Sequence, residues 1–344
     1  MNVRSLVAII VLVSVIGGTV WWLRPGDHPT PDVDHTPTAA APREIPEFPP
    51  IPRPNDVDYI AGAERTPHQR DLRARLLDIL RQPIRNNDQH KEHVLMLAQH
   101  DALRDVLATL DPADLDIMIE LLIEEPDFML RRIIIDAIAA LRTDAAVDAL
   151  IDHYWRLYER DQESELNYTI AALGRIDTDH SFVRLDEMIV HDLAELHRFR
   201  FVEQLGRHSD AARAVPRFLE VADSTKQRYW KTRSRAAWAL NQAQDVAAAP
   251  KIEALLETEE NKYVRQSMVG TLGYLGDVGS ISKLESIALT EPNHQTRTSA
   301  IRALSRIMTE RAREIVERVA AEDENEDVRE HAEMLLGRWG QGPR

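Results

Sequence analysis

One leucine constrains this chain more than anything else, because it returns on a nearly fixed step. It stands at Leu110, Leu141, Leu173, Leu205, Leu240, Leu272, Leu304 and Leu336, giving intervals of 31, 32, 32, 35, 32, 32 and 32 residues. Its surroundings return with it. Val264-Arg265-Gln266-Ser267-Met268-Val269-Gly270-Thr271-Leu272-Gly273 is matched one unit later by Thr296-Arg297-Thr298-Ser299-Ala300-Ile301-Arg302-Ala303-Leu304-Ser305. Self-similarity at such a period marks a solenoid, in which each unit is one supersecondary element stacked on the next.

The unit from Val264 to Leu289 shows what is stacked. Met268, Val269, Leu272 and Leu275 fall on one face of a 3.6-residue helix, and Gly276-Asp277-Val278-Gly279 ends it. Ser280 caps a second helix with Ile281, Leu284, Ile287 and Ala288 on one side, and Glu291-Pro292-Asn293 turns back. Two helices of this length cannot bury both their faces, so each pair requires the next one against it. The fold class is therefore all-α, an α-solenoid of about seven helix pairs.

Other positions recur in register with the leucine. Seven residues before it stands Arg198, Arg233, Arg265, Arg297 or Arg329; four before it, Ala137, Ala236, Ala300 or Ala332. One before it stands Ala140, Ala172, Ala239 or Ala303; five after it, Asp210, Asp245 or Asp277. This pattern resembles the HEAT repeat, and its short step is most similar to the HEAT-like repeats of phycobilisome lyases. The resemblance covers residues 100–339. It is weaker near Leu173, where Leu166 takes the arginine position, and near Leu205, where Phe201 and Gln204 replace alanines. It implies a right-handed superhelix whose second helices line a concave face, and that face usually binds another protein. The alanines would let neighbouring helices approach closely. The arginines are expected to bond turn carbonyls and the turn aspartates of an adjacent repeat.

Two segments precede the repeats. Ser5 to Leu23 carries no charge and would rise about 28 Å as a helix, close to the thickness of a bilayer core. Trp21, Trp22 and Arg24 close it, and Ala39-Ala40-Ala41 lies too far downstream to be a signal-peptide cleavage site. Residues 1–24 are accordingly read as an uncleaved transmembrane signal anchor, with membrane contact through residues 5–23. Arg4 on a short N-terminus exports the chain beyond Leu23, which in a bacterium means the periplasmic side of the inner membrane. Ten prolines between Pro25 and Pro54 make residues 25–64 an extended linker, since proline lacks the N–H that helices and sheets need. The solenoid domain is assigned to 65–344, opening at Thr66-Pro67 with a helix that buries Leu72, Leu76, Ile79 and Leu80. A second helix over Asp88–Gln99 carries apolar Val94, Leu95, Leu97 and Ala98.

Chemistry is sparse. No cysteine is present, which removes disulfides, thiolate metal sites and thiol nucleophiles. A net charge of −15 argues against phosphate-neutralising surfaces and so against nucleic acid. A HEAT-like di-iron hydroxylase uses repeated His-Glu dipeptides, whereas here the nearest pairs are His100-Asp101 and His191-Asp192. His191 and His197 are six residues apart and face differently on a helix, and His90 with His93 lacks a third ligand. No catalytic, cofactor or metal residues are assigned. Aromatic residues gather instead at Tyr154, Trp155 and Tyr158, and at Tyr229 and Trp230 inside the one stretched repeat. Insertions in solenoids map to one face, and aromatic side chains dominate interface energetics. Tyr154, Tyr158, Tyr229 and Trp230 are thus the candidate partner-binding residues. The sequence reads as a non-catalytic protein-interaction scaffold; the alternative is a metal-dependent or lyase-like enzyme on the same solenoid.

Overall fold

The computed structural model describes residues 65–82, 89–191 and 195–339, all within one compact unit. The expected anchor at 1–24 and linker at 25–64 lie outside the described residues. Among those described, no helix is long and apolar enough to cross a membrane.

The described residues form sixteen α-helices in two layers. One layer holds α1 (Pro67–Leu80), α3 (Leu115–Glu124), α5 (Asp144–Glu159), α7 (Asp179–Val190), α9 (Val215–Ala222), α11 (Ala249–Thr258), α13 (Ile281–Thr290) and α15 (Glu310–Glu322). These are the second helices of the repeats, α1 being an extra one at the front. The other layer holds the first helices: α2 (Gln89–Leu107), α4 (Phe128–Ala140), α6 (Glu163–Leu173), α8 (Arg198–Arg207), α10 (Trp230–Ala243), α12 (Lys262–Leu275), α14 (His294–Ile307) and α16 (Glu326–Trp339). The leucines Leu173, Leu205, Leu240, Leu272 and Leu304 are all fully buried between the layers. The helix over Thr66-Pro67 starts as expected, with a capping box between Thr66 and Gln69.

Small residues set the spacing of the first-helix layer. A Cβ added to Gly273 would lie 2.5 Å from the Cβ of Ala303, and one on Gly206 would lie 2.8 Å from that of Ala239. The residue after one marker leucine thus touches the residue before the next. Backbones of neighbouring first helices meet there, while the second helices are held apart by larger side chains.

The arginine series does form a ladder, on different partners from those expected. Arg233 sends Nη1 to the carbonyls of Gln227 and Arg228 in its own preceding turn, at 2.8 and 2.9 Å. Its Nε and Nη2 then clasp both oxygens of Glu259 at 2.6 and 2.8 Å. Glu259 ends α11, and its own carbonyl accepts from Arg265 at 3.0 Å. Arg265 reaches Glu291, whose carbonyl accepts from Arg297 at 2.9 Å. Arg297 holds Asp323 by two bonds of 2.8 Å, and the Asp323 carbonyl accepts from Arg329 at 2.7 Å. The acid is therefore the residue that closes each second helix. The turn aspartates Asp245 and Asp277 instead cap their own 3₁₀ turns through Ala247 and Gly279.

The same ladder corrects the register at the front. Arg131 takes the carbonyls of Glu125 and Pro126, as the later arginines do, and pairs with Glu165 in α6. Seven residues on stands Ile138, fully buried, whereas Leu141 is only half-buried. Four residues beyond Ile138, Arg142 has φ 51°, matching left-handed Gln244, Gly276 and Met308 four residues beyond Leu240, Leu272 and Leu304. The marker of that repeat is Ile138, and the extra residues lengthen α5. The helix expected over 88–99 differs as well: α2 runs on to Leu107 and buries Leu103 and Leu107, leaving Val94, Leu95 and Leu97 exposed.

Burial pushes the Asp323 carboxyl up, but the Arg297 bonds, with help from the Asn325 amide, hold it below the usual carboxylate range. A carboxyl depressed in the folded state stabilises above its unfolded value, and that stabilisation is lost as pH falls through the folded value. Asp323→Asn is expected to cost about 3 kcal/mol at neutral pH, since it strands a buried guanidinium. In urea melts, the gap from the parent protein should narrow as pH drops below about 4. A gap that is constant with pH contradicts the pairing. At the left-handed position, Met308→Gly is expected to stabilise by about 1 kcal/mol; a lower melting temperature contradicts that.

Candidate functional site

Three of the four aromatic candidates come together at one place. A cleft of about 770 Å³ opens across the N-terminal ends of α6, α8 and α10. Tyr158 and Glu163 form one wall, His197 and Phe199 the middle, and Tyr229 and Trp230 the other wall. The chain reaches it from two directions. Tyr158 arrives on the last turn of α5 before left-handed Asp161, and Tyr229-Trp230 arrives at the end of the loop 223–229. That loop is where the 35-residue step places its extra residues. Asp223 shapes it by accepting from the amide and hydroxyl of Thr225 at 2.9 and 2.7 Å.

Tyr154 is not part of this surface. It is 0% exposed and packs edge-on against Trp155, Phe201 and His197, with ring centroids 4.9, 5.2 and 6.0 Å away. A helix turns about 100° per residue, so Tyr154 and Tyr158 share a face, with Tyr154 one turn deeper. Trp155 is half-buried, its ring 4.8 Å from that of His191. Both histidines that suggested metal ligands are therefore seated against aromatic rings. Burial lowers His197, with Glu163 opposing and Arg200 assisting. Among the described residues, no three His, Asp or Glu side chains converge as metal ligands.

The far wall extends further than the sequence indicated. Trp230 stacks on Tyr263 of α12 with centroids 5.1 Å apart and planes at 29°. The two rings are 38% and 47% exposed. Cations flank this row: Lys262 lies 5.1 Å from the Tyr263 ring, and Arg228 lies 4.8 Å from Tyr229 while donating to its hydroxyl at 3.1 Å. Tyr263 was legible as an aromatic at the start of a first helix, one unit after Trp230. The helix ends at the cleft are also unusual. The N-cap residues Gln162, His197 and Tyr229 make no side-chain cap bond, whereas Asp127, Asn261 and Asn293 cap α4, α12 and α14. The first turns of α6, α8 and α10 thus lack a side-chain cap.

The ladder is weakest at the same spot. Arg198, at the arginine position of α8, reaches the His191 carbonyl at 3.5 Å, and its Nε has no partner among the described residues.

One family model agrees with this helix-pair repeat over part of the chain. The family model for HEAT repeats matches residues 184–269 and 249–337. No curated protein matches the chain. Among solved structures, human deoxyhypusine hydroxylase in complex with glycerol is 18% identical, with 80% of this chain and 96% of that one covered and a TM-score of 0.35. The complex of CpcE and CpcF of phycocyanin lyase from Nostoc sp. is 17% identical, with 86% and 100% covered and a TM-score of 0.32.

The Tyr154 hydroxyl is buried with no partner among the described residues. Replacing it with hydrogen removes a desolvated polar group, so Tyr154→Phe is expected to be neutral or to stabilise by about 1 kcal/mol. Thermal melting checks this, and a loss above about 1 kcal/mol shows a hidden hydrogen bond.

Proposed function

We propose that this chain is a non-catalytic scaffold that docks a partner protein in the aromatic cleft. The observation that carries the reading is the convergence of Tyr158, Tyr229 and Trp230, drawn from two separate segments, around one open cleft. Half-exposed aromatics with flanking cations supply the rigid, amphipathic contacts that dominate protein interfaces. Uncapped helix ends beside them offer N–H donors to a partner's carbonyls or carboxylates. The uncharged run Ser5–Leu23 and the proline-rich stretch behind it support a tether, with the solenoid held on the periplasmic side of a bacterial inner membrane.

In-cell crosslinking of the full chain, followed by capture and mass spectrometry, tests the docking reading. One dominant partner is expected. Tyr229→Ala combined with Trp230→Ala should reduce its recovery about tenfold or more, in line with the loss of interface hot spots. Val278→Ala, at an exposed turn on the other layer, should leave recovery unchanged. Full recovery with the double variant removes the cleft from the interface. A stoichiometric metal in the purified protein, with no partner, replaces the scaffold by the enzyme reading.

A further inference from the structure

A second surface lies along the solvent side of the first helices, beyond their first turn. Arg207 of α8, Arg235 and Trp238 of α10, Tyr274 of α12, and Arg302 and Arg306 of α14 succeed one another there. Their register explains the alignment: each stands two, five or nine residues after the ladder position of its helix, on the side opposite the buried leucines. Side chains reach between neighbouring helices. The Arg207 and Arg235 guanidinium groups lie 5.6 and 5.5 Å from the Trp238 ring. Arg306 lies 4.0 Å over Tyr274 and donates to its hydroxyl at 3.1 Å. Arg302 donates to His331 of α16 at 2.8 Å.

The charge on these helices runs against that of the chain. Net charge overall is −15, yet α8, α10, α12 and α14 contain one carboxylate among them, Glu203. The ladder arginines Arg233, Arg265 and Arg297 are matched by the acids that end the second helices. Along the outer row the acid that these four helices supply is Glu203, shared between Arg207 and Arg235. A positive strip therefore lies on the first-helix layer of an acidic protein.

We propose that this strip binds an extended, carboxylate-rich peptide segment of a partner protein. The proposal rests on the scaffold reading but uses a face other than the aromatic cleft. Spacing argues for an extended chain. Packed helices lie about 8–10 Å apart and an extended peptide rises about 3.3 Å per residue, so every third residue meets the next helix. Carboxylates three residues apart sit over α8 and α10, where arginine forks match them two oxygens at a time. Over α12 the peptide passes a small or apolar residue across Gly270, where a Cβ would meet nothing within 4 Å, and against the Tyr274 ring. A carboxylate returns over Arg306 of α14. Nucleic acid fits less well, because a row one side chain wide on a chain of −15 offers few phosphate contacts.

The test is fluorescence anisotropy of labelled twelve-residue peptides on the purified full chain, with Glu-Gly-Ser repeats compared against Gln-Gly-Ser repeats. The Glu peptide is expected to bind at least about tenfold more tightly, and to weaken steeply as salt is raised. Arg235→Gln with Arg306→Gln should cost at least about fivefold, and Arg235→Glu with Arg306→Glu should cost more, with helicity checked by circular dichroism. Tyr229→Ala with Trp230→Ala should leave this affinity unchanged. Equal binding of the two peptides overturns the proposal, as does indifference to the glutamine variants. Tighter binding of a single-stranded oligothymidylate of equal charge also overturns it. Loss of Glu-peptide binding in the Tyr229 and Trp230 variant moves the acidic site to the cleft, and refutes the strip while the scaffold reading stands.

Discussion

The solenoid is held in step by one repeated bond set: an arginine that binds backward to its own turn and forward to the acid ending the next helix. Each guanidinium has five donors in a fixed fork, and Arg233, Arg265 and Arg297 use several of them at once. Burying an ion pair is favourable only when the remaining polar atoms are also satisfied. Here the carboxylates accept from the amide two residues on, as Glu259 does from Asn261 and Asp323 from Asn325, both at 2.8 Å. The backbone turn, the arginine and the acid thus fix one another. A shift of one residue would strand a charge in each repeat, which explains why the period hardly varies from Leu240 onward.

Close packing of the first helices follows from the same geometry and determines where function can sit. Glycine and alanine use up the contact between neighbouring first helices, so bulky side chains are displaced to the helix ends and the solvent side. Aromatic residues take the ends, at Tyr158, Phe199, Tyr229, Trp230 and Tyr263. Arginines take the solvent side. The two surfaces differ in chemistry because they are offset along the helices, one at the first turn and one after it. Overall charge is uninformative about either, since α8, α10, α12 and α14 carry just one of the chain's carboxylates, Glu203.

Much of the architecture was legible in the residues, because both periodicities that matter are local. The leucine step located the helix pairs, and the alanine positions announced the close approach. Leu141 misled because a leucine at a helix end satisfies the spacing as well as the buried Ile138. Only the arginine, at Arg131, and the left-handed residue, at Arg142, carry the true register. The acids of the ladder were hidden by distance, standing 26 residues beyond their arginines and outside the reach of the repeating decamer. Val94, Leu95 and Leu97 read as a core face, yet α2 rolls to bury Leu103 and Leu107 instead. For Tyr154, spacing put it on the correct face but could not give depth. Trp230 and Tyr263 show the reverse case, in which two residues from different units become neighbours only through stacking.

A ladder built this way is indifferent to how many rungs it has. Each arginine needs only its own turn and the acid ending its second helix, and both are encoded within a single unit. Excising residues 262–293 would join Asn261 to His294, leaving the Glu259 carbonyl to receive Arg297 in place of Arg265. The ladder pairs Arg233–Glu259 and Arg297–Asp323 would both remain. The gene can therefore lengthen or shorten the array by whole units without passing through a form with a stranded guanidinium. The irregular repeat between α8 and α10 has no such freedom, since its loop and cleft occur once.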